Sequence, residues 1–291
     1  MFNGVGTAMI TPFNENFEVD YNALEEFVNF QLEFVDALIV LGTTGEAPTI
    51  NEKEREKIVS KVVEIVNKKI PVIVGTGSNN PEHVLNNNKL AEKNGADGLL
   101  IVNPYYNKST QKGLVKYFTY IAERTELPII LYNVPSRTGG NILPDTAIEI
   151  FDKNKNVIGI KEASGNISQI AELISNKPNE MLVYSGNDDQ ALPLMALGGN
   201  GVISVFSNVL PKQMKELTDA ILNGNFKKAQ EINNKYNILM RKLFVEVNPI
   251  PVKYAVSKLG YCKNIVRLPL VELSENGKIL IDKLFEELSI L

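Results

Sequence analysis

The chain is poor in the residues that most enzymes use for metal and acyl chemistry. Among 291 residues there is one cysteine, Cys262, and one histidine, His83. A single cysteine rules out a disulfide within the chain and suits a reducing cytoplasm. A zinc site of the usual kind needs several histidine or cysteine ligands, which the chain does not supply. A Ser-His-Asp arrangement could use only His83. That residue lies in NNPEHVLNNN, a polar stretch that reads as an exposed helix start, so a solvated surface histidine is the simpler reading. No apolar run reaches the eighteen or so residues that span a bilayer. The start, MFNGVGTAMITPF, has no basic segment before an apolar core and does not read as a signal peptide. Net charge is −4 with scattered basic residues, so no nucleic-acid footprint is visible. Chemistry here must rest on lysine, tyrosine, threonine, arginine or carboxylates.

What is present is an ordinary globular composition, 44% hydrophobic and 22% charged, arranged as a β/α alternation. Eight β-rich runs recur: VGTAMI from Val5, ALIVLG from Ala37, PVIVGTG from Pro71, GLLIVNP from Gly98, PIILYNVP from Pro128, VIGIKEA from Val157, MLVYSG from Met181 and GVISVF from Gly201. Most are continuous apolar runs, the mark of strands buried on both faces. Amphipathic stretches separate them, with Asp20 and Asn51 as N-caps, Pro81 in a first helical turn and Gly95 just past a helix end. Gly139-Gly140 loosen the chain before Pro144. Eight such units predict a closed (β/α)8 TIM barrel over residues 1–224. An open doubly wound sheet would normally carry a GxGxxG turn after its first strand, and none is there.

Residues 225–291 read as a three-helix C-terminal appendage. Phe226, Ala229, Ile232, Tyr236, Leu239 and Leu243 fall at helical spacing. PVKYAVSKLG runs from Pro251 to Gly260. Ser274 starts a last helix, with Ile279, Leu280, Leu284 and Leu288 on one stripe.

Functional groups of such barrels gather where strands end. Those ends carry Gly42-Thr43-Thr44-Gly45-Glu46, Tyr105-Tyr106, Tyr132 with Arg137, Lys161-Glu162, Gly186-Asn187-Asp188-Asp189 and Ile203-Ser204. Each has a plain reading. A lysine after a strand is usually a solvated strand end, GTTGE could cap a helix, Tyr105-Tyr106 could be an exposed loop, and Arg137 could pair with a neighbouring carboxylate. Their convergence on one mouth favours chemistry. In a dry barrel an ammonium loses its hydration, and its pKa falls toward the range of a free amine at neutral pH. A neutral amine condenses with a ketone to a Schiff base, which makes the adjacent carbon acidic without metal or cofactor. A sugar-phosphate barrel is disfavoured because Asp188-Asp189 would repel a phosphate. A non-catalytic binder would make the lysine, the tyrosines and the arginine accidental.

GVGTAMITPF, GTTGEAPTI, GTGSN, NPYYNK, YNVPSRTGGNI, GIKEASGN, YSGNDD and GGNGVISV, taken together, resemble the pyruvate-dependent class I aldolase superfamily and, within it, the dihydrodipicolinate synthase family. The resemblance runs from the start of the chain through RLPLVEL at Arg267–Leu273. It implies that Lys161 forms the Schiff base with pyruvate and that Tyr132 shuttles protons. Thr44 and Tyr106 would be its relay partners, with Tyr106 reaching a neighbouring subunit's site. Thr43 and Thr44 would hold the pyruvate carboxylate, and Gly186 and the Ile203 backbone would line the site. Arg137 would bind the carboxylate of L-aspartate 4-semialdehyde, in diaminopimelate and lysine biosynthesis. It further implies no cofactor, a cytoplasmic homotetramer built as a dimer of dimers, and sialic-acid lyases and keto-deoxy sugar acid aldolases as the nearest alternatives. Relatives inhibited by lysine carry an acidic residue and histidines at a dimer-interface site. Asn79 and Tyr105 match that site, but His83 stands where the carboxylate would be, with Glu52 and Arg55 near the histidine positions. Weak or absent lysine feedback is the expectation.

Overall fold

A computed structural model describes residues 1–291. Eight parallel strands close a barrel in sequence order. They are β1 Gly4–Ala8, β2 Ala37–Val40, β3 Val72–Gly75, β4 Gly98–Val102, β5 Ile129–Asn133, β6 Val157–Glu162, β7 Leu182–Ser185 and β8 Gly201–Ser204. Closure is made by β1 against β8, with Gly6 beside Ile203 and Thr7 beside Ser204. The helices are α1 Tyr21–Leu32, α2 Glu52–Val66, α3 Pro81–Lys93, α4 Gln111–Ala122, α5 Pro135–Thr138, α6 Pro144–Lys153, α7 Ile167–Asn176, α8 Ala191–Ala196, α9 Pro211–Leu222, α10 Phe226–Lys242, α11 Ile250–Lys258 and α12 Glu275–Glu287. None is long and apolar enough to cross a membrane.

The local signals act as their chemistry dictates. The Asp20 carboxylate accepts from the backbone N–H groups of Asn22 and Ala23 and starts α1. Asn51 and Glu54 form a reciprocal capping box at α2. Ser274 caps α12 by accepting from the Gly277 amide. The fifth β/α connection holds one element more than expected. The short α5 precedes α6, and Gly139 ends it in the left-handed region at φ 67° rather than loosening the chain.

Strand burial splits into two layers. Side chains facing outward join the helices in one large apolar core. Those facing inward form a small separate cluster that includes Ala8, Ile39, Ile73, Leu100, Ile130, Tyr132, Tyr184 and Ile203. One end of the barrel interior is stoppered. Tyr184 stacks on Phe2 at 4.4 Å, and its hydroxyl donates to the Phe2 carbonyl. Water therefore reaches the interior from the other end, where the strands finish.

Two apolar assignments in the C-terminal helices change. Ile279 is 65% exposed, and α12 instead buries Ile281, Leu284 and Phe285. Leu284 is buried and Leu280 and Leu288 are partly buried as spaced, so only Ile279 leaves the stripe, which extends instead to Ile281 and Phe285 where α12 meets α10 and α11. Phe226 at the start of α10 is also exposed, while Ala229, Ile232, Tyr236, Leu239 and Leu243 are buried as spaced.

Candidate active site

A cavity of about 520 Å3 opens at the strand-end mouth of the barrel. Lys161, Tyr132, Thr43, Thr44, Arg137 and Gly186 all line it. Lys161 and Tyr132 are register partners on adjacent strands β6 and β5, so the pairing itself brings them together. The Lys161 Nζ stands 4.4 Å from the centre of the Tyr132 ring. Neither hydrogen bond nor ion pair to protein holds this amine, although Lys161 is only 5% exposed. Burial pulls it down to about 8 from 10.5, and the positive charge of Arg137 pulls the same way while Asp188 opposes. The same dry environment pushes the Tyr132 phenol up to about 12, with Arg137 and the Thr43 hydroxyl working against it. An uncharged amine beside a protonated phenol is thus accessible near neutral pH.

The space for the lysine depends on a glycine. A Cβ at Gly186 would lie 2.5 Å from the Ala163 Cβ and 3.0 Å from the Lys161 Cε. Any side chain there would push the lysine stem from its place.

Arg137, in the short α5 that follows β5, forms no ion pair. Its Nη2 donates to the Asn248 carbonyl at 3.2 Å, which orients the guanidinium at the cavity rim and leaves its other donors for an anion. Asp188 stands where a barrel of this kind would hold a phosphate. Its buried Oδ2 accepts from the backbone amides of Val205 at 3.1 Å and Phe206 at 2.9 Å. Those amides, in the loop after β8, are what a phosphate would otherwise use. Burial raises the Asp188 carboxyl to about 6, and these amides and Lys161 act to keep it ionised.

This geometry matches known proteins along the whole chain. A family model described as the dihydrodipicolinate synthetase family covers residues 1–288. The chain belongs to the dihydrodipicolinate synthetase family. It is 57% identical to 4-hydroxy-tetrahydrodipicolinate synthase of Thermotoga neapolitana over 94% of this chain and 95% of that one. Identity to the enzyme of the same name from Thermotoga maritima is 53%, with both chains fully covered. The crystal structure of dihydrodipicolinate synthase from Thermotoga maritima superposes with a TM-score of 0.98, covering both chains completely. A structure of the first monomeric dihydrodipicolinate synthase variant also gives 0.98, at 53% identity, over 100% of this chain and 98% of that one.

Not every residue singled out in the dihydrodipicolinate synthetase motifs meets at this cavity. Tyr106 is 93% exposed, in the left-handed region at φ 67°, and does not line this cavity. Ile203 is buried in the barrel interior behind the cavity wall, in the same inner cluster as Tyr132. Thr44 forms no hydrogen bond with Tyr132; its hydroxyl accepts instead from Asn248 Nδ2 at 2.9 Å. Glu46 is not the partner of a capping box. It has left-handed backbone at φ 55°, and its buried carboxylate accepts from Lys253 Nζ at 2.5 Å and from the Arg267 amide at 2.9 Å.

Sequence reading missed the contribution of the segment between α10 and α11. Phe244, Val245, Glu246, Val247 and Asn248 all line the cavity. FVEVNP carries no helical stripe and no turn motif, and it lies far along the chain from GIKEASGN, which carries Lys161. The one available signal was its length, too great for a tight helix–helix turn and too apolar for a solvated loop.

A larger cavity of about 900 Å3 adjoins the first through Thr43, Tyr132 and Arg137. It extends outward to Glu52, Arg55, His83 and Tyr105. The Arg55 guanidinium is buried there and bonded to the carbonyls of Gly75 and Ala47. His83 is exposed, in keeping with its plain reading.

Proposed function

We propose that the protein condenses pyruvate with L-aspartate 4-semialdehyde through a Schiff base on Lys161. One observation carries this reading. Lys161 is a buried lysine without a counter-ion, on a strand end, against a tyrosine. Its amine adds to the ketone carbon of pyruvate, and the carbonyl oxygen leaves as water. The resulting iminium withdraws electrons, so the pyruvate methyl group loses a proton and becomes an enamine carbon. That carbon attacks the aldehyde, whose oxygen takes up a proton. The amino group of the joined chain then attacks the iminium carbon, closes a six-membered ring and releases Lys161. Every proton moves between neighbouring groups, and no redox step occurs.

In this reading Tyr132 passes protons at the ketone oxygen and the methyl carbon. Thr43 and Thr44 hold the pyruvate carboxylate, Gly186 keeps the lysine channel open, and the Ile203 backbone backs the substrate. Arg137 takes the carboxylate of the aldehyde, a task that suits a planar guanidinium better than an ammonium. Tyr106 completes the relay across a subunit interface. Its exposed ring would be an unusual expense of apolar surface in a lone chain. A homotetramer of paired dimers, in the cytoplasm, is part of this proposal. Size-exclusion chromatography with light scattering tests the assembly; a monomer that keeps full activity would exclude the Tyr106 exchange.

The test of the chemistry is borohydride reduction in the presence of pyruvate, followed by peptide mass spectrometry. The reduced adduct is expected on Lys161 and absent from Lys161→Ala. An adduct elsewhere, or none, would refute the mechanism. Offering aspartate semialdehyde and N-acetylmannosamine side by side then decides the acceptor. Arg137→Ala is expected to lose about 10–100-fold in kcat/KM for the former while still trapping pyruvate, the scale of one charge-assisted contact.

A further inference from the structure

The C-terminal helices do more than pack against the barrel. Four bonds from residues 248–267 fasten the loop after β2: Asn248 to Thr44, Lys253 to Glu46, the Arg267 amide to Glu46 and the Arg267 guanidinium to the Thr49 carbonyl. The first of these enters the reaction cavity. Asn248 is 5% exposed and lines that cavity. Its side chain makes a single hydrogen bond, from Nδ2 to the Thr44 hydroxyl, and its Oδ1 has no partner in the protein. Its backbone carbonyl accepts from Arg137. One residue outside the barrel therefore touches both the threonine and the arginine of the site.

The polarity of the bond is what matters. A hydroxyl has one proton and two lone pairs. An amide nitrogen can only donate, so Thr44 must accept at Asn248, and its own proton is then directed elsewhere. Leaving a buried polar end without a partner is costly. Asn248 satisfies the end that faces Thr44.

We propose that Asn248 is a positioning residue for the condensation, fixing the direction in which the Thr44 hydroxyl hands on its proton. This rests on the Schiff-base reading of the site and adds the C-terminal segment to its working parts. The side chain governs Thr44, whereas the backbone carbonyl governs Arg137. Side-chain variants therefore separate the two.

The test is a set of variants: Asn248→Asp, Asn248→Ala, Thr44→Val and the double Thr44→Val/Asn248→Ala. Asn248→Asp keeps the shape and removes the donor. It is expected to lose about 10–100-fold in kcat, as Asn248→Ala does, the scale of one misdirected proton transfer. In the uncharged Asn248→Ala, KM for the aldehyde should stay near wild type, because the carbonyl that holds Arg137 is retained. The double variant should be no worse than Thr44→Val alone, since both changes break one coupled pair. Wild-type kcat in Asn248→Asp, or additive losses in the double variant, would overturn the proposal. Should Asn248→Ala fail to fold, Asn248→Leu, of similar size, uncharged and without a donor, decides in its place. Pyruvate trapping on Lys161 in the wild-type protein, run alongside, shows whether the Schiff-base reading or only this inference has failed.

Discussion

Two lysines are buried in this protein, and they have opposite environments. Lys253, on α11, is wholly enclosed and pairs with the Glu46 carboxylate, with its Nζ 3.9 Å from the centre of the Phe13 ring. Lys161, on β6, also faces an aromatic ring but has no carboxylate bonded to it. Burial lowers the pKa of both; at Lys253 the Glu46 charge opposes that directly, while at Lys161 the more remote Asp188 opposes it and Arg137 reinforces it. The difference teaches that burial alone does not make a nucleophile. A buried ammonium beside a bonded carboxylate is a structural cation. One denied that partner gives up its proton more readily, at about 8 rather than 10.5.

The comparison can be broken first at Lys161. Lys161→Met should abolish pyruvate trapping and reduce turnover by at least about 10^3-fold, as removal of a covalent nucleophile does. The same variant should be more stable than the wild type at pH 7. The folded pKa of about 8 lies below the unfolded 10.5, so the folded protein bears the cost of an unpaired charge at every pH below about 8. That cost, about 3 kcal/mol by linkage, fades as pH rises from about 8 to 10.5. Thermal melts of the two proteins should therefore converge at alkaline pH; a wild type more stable at pH 7 would show that Lys161 is paired after all.

The second break is at Lys253. Glu46→Gln leaves a buried ammonium without its counter-charge and should destabilise the fold by about 3–5 kcal/mol. The double variant Glu46→Leu/Lys253→Met should recover much of that loss, because it removes both charges together. Equal damage from the single and double variants, read by thermal melting, would mean the pair has no special coupling.

A sharper test uses pH on the intact enzyme. The rate of borohydride-trapped adduct formation should climb with pH as Lys161 deprotonates and level off above about 8. A profile flat from pH 6 to 9 would place the amine's titration elsewhere. The smallest effect concerns regulation. His83 lines the outer cavity where an effector ammonium would need an anion, and Glu56 on the same wall is already paired with Lys93. Added L-lysine should leave the condensation rate nearly unchanged in a steady-state assay; strong inhibition would show that another carboxylate, Glu52 being the candidate, takes that part.

The barrel was legible because most strands are continuous apolar runs and several helices open on a side-chain cap. Asp20, Asn51 and Ser274 start the helices they were expected to start, because a side-chain oxygen beside free amides is a local matter. The strand-end residues were legible for a related reason: parallel register places Tyr132 beside Lys161 once the strands are known. Asn248 and the Glu46–Lys253 pair were not legible. Their partners lie 204 and 207 residues away, and nothing local in FVEVNP or PVKYAV marks them. Ile279 was misassigned because α12 is apolar on more than one side, so periodicity alone did not choose the buried one.

Sequence by itself determined the alternation of strands and helices, and with it the mouth where the reactive side chains stand, since short-range patterning sets both. Only the tertiary structure decided which buried lysine keeps its charge and which hydroxyl must accept, because desolvation and hydrogen-bond polarity depend on neighbours that the chain brings in from two hundred residues away.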